Sequence, residues 1–408
     1  MNLRPIYVQL QQRAFGASGL ILDSSDMQPL IYLALTDDWE VRGNGTGDPR
    51  VLQFEPMRKL VKIFNNYGIR GSFNAEVMQQ LTYRGLQAHF PELKPLADEW
   101  EEVMTESFRQ GHDIQLHLHP QWRDATYEGH GNWKLAGDWS IINYPSQQVR
   151  EMLASGKKYL ETLLCKIDRA YACVSFRAGS WCAAPSDSLL PILSELGFVF
   201  DMSIVAGIRY ETPQVKLDYT HCEEPFVPYY PDMKDARRVS RSVEPIVCIP
   251  TNSFPGARIA SLRQDFRKAG NLLLRKIQGL GHGNSATPSA LSRGRSGDEW
   301  TNKGERGVFG LARKLAKRYV IGQRYISDIA QMDYSMMCKM MAHIRRQAAK
   351  SGLARVPVIL ENHTKDISSF SDIEHFVADV SRSKDIKTVT LKEIADGFRS
   401  GSFTARTA

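Results

Sequence analysis

The chain has 408 residues, 42% of them hydrophobic and 24% charged, enough for one large α/β domain with insertions or for two domains around a sizeable core. Its net charge of +7 admits a nucleic-acid or acidic-membrane partner, so where the cations lie matters more than their sum. The opening MNLRPIYVQLQQRAFG lacks a continuous apolar stretch, and no apolar run reaches the ~18 residues of a membrane span, so the sequence predicts neither a cleaved export signal nor a span. Cys165, Cys173, Cys182, Cys222, Cys248 and Cys338 are scattered without a disulfide framework or a CxxC pair, which points to reduced thiols and a cytoplasmic setting.

The first predicted strand, IYLALTDDWE, runs apolar and then ends on the adjacent carboxylates Asp37 and Asp38. In EPMRKLVKIFNNYG the residues Met57, Leu60, Val61 and Phe64 form one helical stripe and Gly68 supplies the stop, after which IRGSF reads as a strand. Trp100, Val103, Met104 and Phe108 stripe the next helix, Gly111 ends it, and DIQLHLHP follows with Ile114, Leu116 and Leu118 on one face. The alternation continues: VREMLASGKKYLETLLCKI leads to CVSFRAGSW, DSLLPILSELG to FVFDMSIV, and MMCKMMAHIRRQAAKSG to VPVILENHT.

Such alternation predicts a largely parallel sheet wrapped by helices, closed or nearly closed as a (β/α) barrel. Polar residues at the strand C-terminal ends then converge on one face, and those residues are Asp37, Asp38, His117, His119, Arg177, Asp201 and His363. The rhythm breaks between about residues 256 and 320, where Lys and Arg far outnumber Asp265, Asp298, Glu299 and Glu305. The middle of that segment is rich in Gly, Ser and Thr, and VFGLARKLAKRYV patterns as a basic amphipathic helix. The predicted organisation is an N-terminal extension over 1–29, a barrel from 30–255 and 346–400, a basic, partly flexible helical insertion over 256–345 and a tail over 401–408.

Two carboxylates at a strand end suit a metal ligand beside a general base, because a divalent cation offsets their repulsion and keeps both ionised. His117 and His119 are spaced i, i+2 and face the same side of an extended segment; two imidazoles, a carboxylate and an open position make a catalytic metal arrangement. Taken singly, each pattern also suits a turn, a helix cap or an ordinary strand-end ion pair, and their coincidence is what points to a metal hydrolase.

The series LTDDW, GHDIQLHLH, FRAG, FVFDMS and VILENHTKD resembles the five ordered motifs of the polysaccharide deacetylase (NodB-homology, carbohydrate esterase) family. The motifs span residues 31–366, and IKTVTLKEIADGF resembles the family's C-terminal strand and helix. The resemblance implies a distorted (β/α) barrel of the polysaccharide deacetylase type and a divalent metal, foremost Zn2+. It also implies removal of an N-acetyl group from an amino sugar in a glycan or glycan intermediate. Carried over by residue, Asp37 matches the catalytic base, Asp38 a metal ligand, His117 the first ligand histidine, and Arg177 the residue that holds the base. Asp201 matches the acid that orients the catalytic histidine and His363 that histidine, the general acid.

The sequence departs from the family in three places. Gln121 stands where a second ligand histidine is usual, so either His119 completes the metal set or a weaker third ligand does. Trp39 replaces a glycine after the Asp pair, and RAGS replaces RPPY, leaving the Ser180 N–H as a candidate oxyanion donor. Gln121, Trp39 and Trp122 are therefore candidates for an additional ligand or substrate contact. With no export signal predicted, a cytoplasmic or lipid-linked sugar is the expected substrate, and residues 308–320 are a candidate contact with an anionic membrane. Rival readings are a catalytically inactive glycan-binding homologue and an amidohydrolase acting on a non-sugar C–N bond. Nucleic acid ranks last, because the basic segment lacks interleaved aromatics.

Overall fold

The alternating pattern becomes a curled parallel sheet with helices packed outside it. The computed structural model describes residues 28–255 and 324–408. Its sheet contains β1 (Leu30–Trp39), β2 (Ser72–Glu76), β3 (Asp113–Leu118), β4 (Ser175–Ala178), β5 (Phe200–Asp201), β6 (Val247–Cys248), β7 (Arg355–Leu360) and β8 (Ile386–Thr388). Neighbours follow the order β6, β5, β4, β3, β2, β1, β7, all parallel, with β8 beside the first half of β1. Thr251, just beyond β6, makes a parallel bridge to Ile359 of β7 and so joins the two ends of that path into a distorted barrel.

Between the strands lie α1 (Glu55–Asn66), α2 (Val77–Leu86), α3 (Leu93–Arg109), α4 (Ser146–Leu164), α5 (Leu189–Glu195), α6 (Tyr334–Lys350) and α7 (Phe370–Arg382), and α8 (Leu391–Arg399) follows β8. The predicted stripes are the buried ones: Met57, Leu60, Val61 and Phe64 on α1, and Trp100, Val103 and Met104 on α3. Gly68 takes a positive φ of 66° to end α1, a conformation in which a side chain is costly. Covered by helices, β2 and β3 are buried along their whole length, as parallel strands are.

The predicted insertion differs from what forms. Residues 256–323, including the amphipathic stretch 308–320, lie outside the described residues. Residues 324–345 belong to the barrel: Arg324–Ile326 pairs antiparallel with Ser253–Pro255, Asp328 bridges to Glu361, and α6 buries Met336, Met337, Met340, Met341 and Ile344. Charge drew the boundary too late, because the methionine stripe that docks α6 starts ten residues before position 346. Among the described residues no helix is long and apolar enough to cross a membrane.

Candidate active site

Side chains alternate along β1, so Asp37 and Asp38 point to opposite faces, and their partners divide accordingly. Asp38 Oδ1 accepts from Arg177 Nη1 at 2.7 Å and from Asn74 Nδ2 at 2.9 Å. Asp37 Oδ1 instead accepts from Asn362 Nδ2 at 2.6 Å, and its buried Oδ2 has no hydrogen-bond partner among the described residues. Past β7 the chain alternates in the same way: Asn362 meets Asp37, while Glu361 and His363 join Asp38. Arg177 is fully buried, and its Nη1 and Nη2 also donate to Thr36 Oγ1 and Thr251 Oγ1, at 3.2 and 3.1 Å, which fixes the guanidinium across the barrel. Burial pushes the Asp38 carboxyl up, but Arg177, His117 and His363 outweigh it and hold the group well below the usual carboxylate range. Burial leaves Asp37 well above that range.

Two positions beyond Asp38, and on the same side, stands Glu40. Its carboxylate, His117 and His119 bring three potential ligand atoms within 4.8 Å of one another, all buried. His117 Nδ1 lies 3.0 Å from the Arg177 carbonyl and must carry a proton to bond it. In a neutral ring Nε2 then presents a lone pair to Glu40 Oε2 at 3.2 Å, and such a pairing needs a cation or a second proton between the two. His119 Nε2 contacts the same oxygen without a hydrogen-bond geometry, while its Nδ1 meets Gln121 Nε2 at 3.0 Å. Gly179 makes room for that ring, because a Cβ there would fall 2.7 Å from His119 Nδ1. Glu76 accepts from the His119 backbone N–H at 2.5 Å and fixes where the strand turns; burial pushes its carboxyl up to about 8. Burial raises Glu40 too, but His119 and Lys365, whose Nζ contacts Oε1, outweigh it and keep the group well below its ordinary value. The unpartnered His119 Nε2, a second imidazole and an ionised carboxylate fit a divalent ion of the zinc class at Glu40, His117 and His119.

His363 completes the cluster. Its Nδ1 lies 3.0 Å from Asp328 Oδ2, and its Nε2 lies 3.3 Å from Glu361 Oε1, 3.8 Å from Glu40 Oε1 and 3.9 Å from Asp38 Oδ2. Burial would lower its pKa, yet Asp328 and Glu361 outweigh burial and push it up to about 10. Asp38, Glu361 and His363 make a second group with metal-ligand spacing, but there the imidazolium is itself the cation. Burial pushes Glu361 up to about 8. The Trp181 indole N–H sits 3.2 Å from both Glu361 oxygens, and Ser180 and Trp181 both take a φ of 55°, an uncommon pair of left-handed residues beside the site.

The structure thus brings Asp38, His117, His119, Arg177 and His363 together and turns Asp37, Asp201, Trp39 and Trp122 to other partners. Arg177 bonds Asp38, not Asp37. Asp201 does not orient His363: its carboxylate turns back onto the Ser203 hydroxyl at 2.6 Å and the Ser203 N–H at 3.2 Å, and Asp328 takes that place through its bridge to Glu361. Trp39 and Trp122 are core side chains; the first bonds the Gln53 carbonyl at 2.9 Å and packs on Trp100, and the second packs against Tyr83 and Trp133. Gln121 backs His119 rather than replacing it. Sequence reasoning missed Glu40, Glu76, Glu361, Lys365 and Asp328. The i, i+2 spacing of Glu40 from Asp38 and of Glu361 and Lys365 from His363 carried a signal for three of them; Asp328 gave none.

No protein-family model matches the chain, and no curated protein matches it in sequence. Solved polysaccharide deacetylases are among the structures it is similar to. A protein from Mycobacterium smegmatis assigned as a polysaccharide deacetylase is 14% identical, with 93% of this chain and 94% of that one covered and a TM-score of 0.47. The PuuE allantoinase is 10% identical over 92% and 93% of the two chains, with a TM-score of 0.44. One from Pseudomonas aeruginosa PAO1, assigned like the first, is 10% identical over the same shares, with a TM-score of 0.43.

Proposed function

We propose that the chain is a metal-dependent hydrolase that removes an N-acetyl group from an amino sugar in a glycan or glycan intermediate. One observation carries this reading: a buried His-His-carboxylate triad stands beside an Arg-held carboxylate and an imidazolium, all at the C-terminal ends of parallel strands. Four of the five motifs whose pattern points to an acetamide contribute residues to this cluster, the exception being FVFDMS, whose Asp201 is engaged by Ser203. Glu40, His117 and His119 would hold the ion, with Glu40 in the carboxylate role that the sequence assigns to Asp38. A divalent ion held there polarises a carbonyl and acidifies water.

The chain's own groups supply the rest. Asp38, kept ionised by Arg177, accepts the proton of the attacking water. This moves the role of base one residue along from Asp37, whose carboxylate is hydrogen-bonded by Asn362. His363, with Nδ1 fixed by Asp328, presents its Nε2 proton to the cluster and delivers it to the leaving amine. Burial excludes bulk water from these transfers and strengthens each charge interaction. The test is acetate release from N-acetylated oligosaccharides by the Zn2+- or Co2+-loaded protein, compared with non-sugar amides. Acetate released from the sugars and lost in Asp38→Asn supports the reading; turnover of non-sugar amides alone contradicts it.

A further inference from the structure

Three cations of the site face four carboxylates: Arg177 lies on Asp38, His363 between Asp328 and Glu361, and Lys365 on Glu40. The last pairing stands apart because Glu40 is also the carboxylate that the two imidazoles face. Oxygen Oε2 meets His117 and His119, and Oε1 meets the Lys365 ammonium. Lys365 lies in the single turn Thr364–Asp366 that follows β7, and its side chain is 14% exposed, drawn off the rim where a lysine would ordinarily extend into water. We propose that Lys365 is a resident counter-cation of the metal centre, which balances Glu40 while the ion is absent and opposes the ion when it binds. The inference rests on the metal-centre reading above.

Two consequences follow from charge alone. A unit positive charge on the ligand carboxylate of a divalent ion repels that ion across a low-dielectric gap, so Lys365 weakens metal binding. Without the ion, the same ammonium is the cation in direct contact with Glu40 Oε1, where His363 Nε2 stands farther off at 3.8 Å, so it stabilises the metal-free fold. Lys365 therefore sets how readily the ion exchanges, and the centre loads according to the free metal concentration.

The experiment titrates Zn2+ and Co2+ into the full chain at neutral pH in competition with a chromophoric chelator, and records the melting temperature with and without metal. The proteins are the wild type, Lys365→Met, Lys365→Gln and Lys365→Arg, with circular dichroism to verify folding. The expected result is metal affinity ~10- to 100-fold tighter in the Met and Gln variants, a larger rise in melting temperature on adding metal, and wild-type behaviour for Lys365→Arg. Equal or weaker affinity in both neutral variants, with the wild type still binding, overturns the role of Lys365 and leaves the metal centre standing. No binding by any of the four at millimolar metal overturns the metal centre and this inference with it.

Discussion

The two ends of the same barrel handle buried polar groups in opposite ways. At the N-terminal ends of the strands, Asp113 accepts from the Gln115 side chain at 2.9 Å and from the Lys392 N–H at 2.8 Å, while Ser72 Oγ accepts from the Leu391 N–H at 3.0 Å. These bonds tie the first turn of α8 to β2 and β3, and both Asp113 oxygens have partners. At the C-terminal ends, by contrast, His119 Nε2, Asp37 Oδ2 and Arg177 Nε are buried without a hydrogen bond among the described residues, and several carboxylates share few cations. Saturated polar groups fasten a fold; groups left with bonding capacity where charge is crowded mark where a ligand is received.

Substitutions at the two ends should separate these roles. The largest effect is expected for Asp38→Asn, which should lower turnover by ~10²- to 10⁴-fold in an acetate-release assay while metal content stays near wild type. Asp37→Asn, on the other face of β1, should stay within about tenfold of the wild type once the folded fraction is corrected for, and an equal loss in both would erase the distinction between them. Next comes Asp328→Asn. The acid raises the pKa of His363, so its removal lowers that pKa, and the alkaline limb of the pH–rate profile should move to lower pH. An unmoved limb would detach Asp328 from His363.

At the opposite end, Asp113→Ala should cost about 1–3 kcal/mol of stability, read from denaturant unfolding, with turnover per folded molecule unchanged. The same carboxyl gives a pH signature. Burial pushes it from an ordinary 3.8 up to about 6, so its protonated form is favoured in the fold. Its contribution to stability is fully present below 3.8 and is lost as pH rises through about 6, and that part of the pH–stability curve should vanish in Asp113→Ala. The smallest effect is expected for Asp201→Asn, a change in turnover of less than about tenfold, because its carboxylate is engaged by Ser203 away from His363.

The barrel was legible because helix stripes and strand runs alternate with clear periods, and the strands with strong runs formed nearly where predicted. Phe200–Asp201 was harder: the apolar run is longer than the two residues that pair, since pairing depends on neighbours that a local pattern does not contain. In the site, Arg177 and the two histidines were placed by strand-end position alone. The proposed roles of the carboxylates shift by one register from the sequence reading, because adjacent Asp37 and Asp38 drew attention as a pair, whereas strand alternation groups Asp38 with Glu40. Asp328 reaches His363 through a bridge between segments 33 residues apart, and nothing local in the sequence encodes that contact. The buried methionines of α6 show the same limit at larger scale, because the charge of the preceding segment hid where the barrel resumes.

The most direct test of the site is a metal-binding titration of Glu40→Gln beside Asp38→Asn, with Zn2+ or Co2+ and matched circular dichroism spectra. If Glu40, His117 and His119 hold the ion, Glu40→Gln loses stoichiometric metal while Asp38→Asn retains it. Metal lost in Asp38→Asn and retained in Glu40→Gln would contradict the assignment and return the ligand role to Asp38.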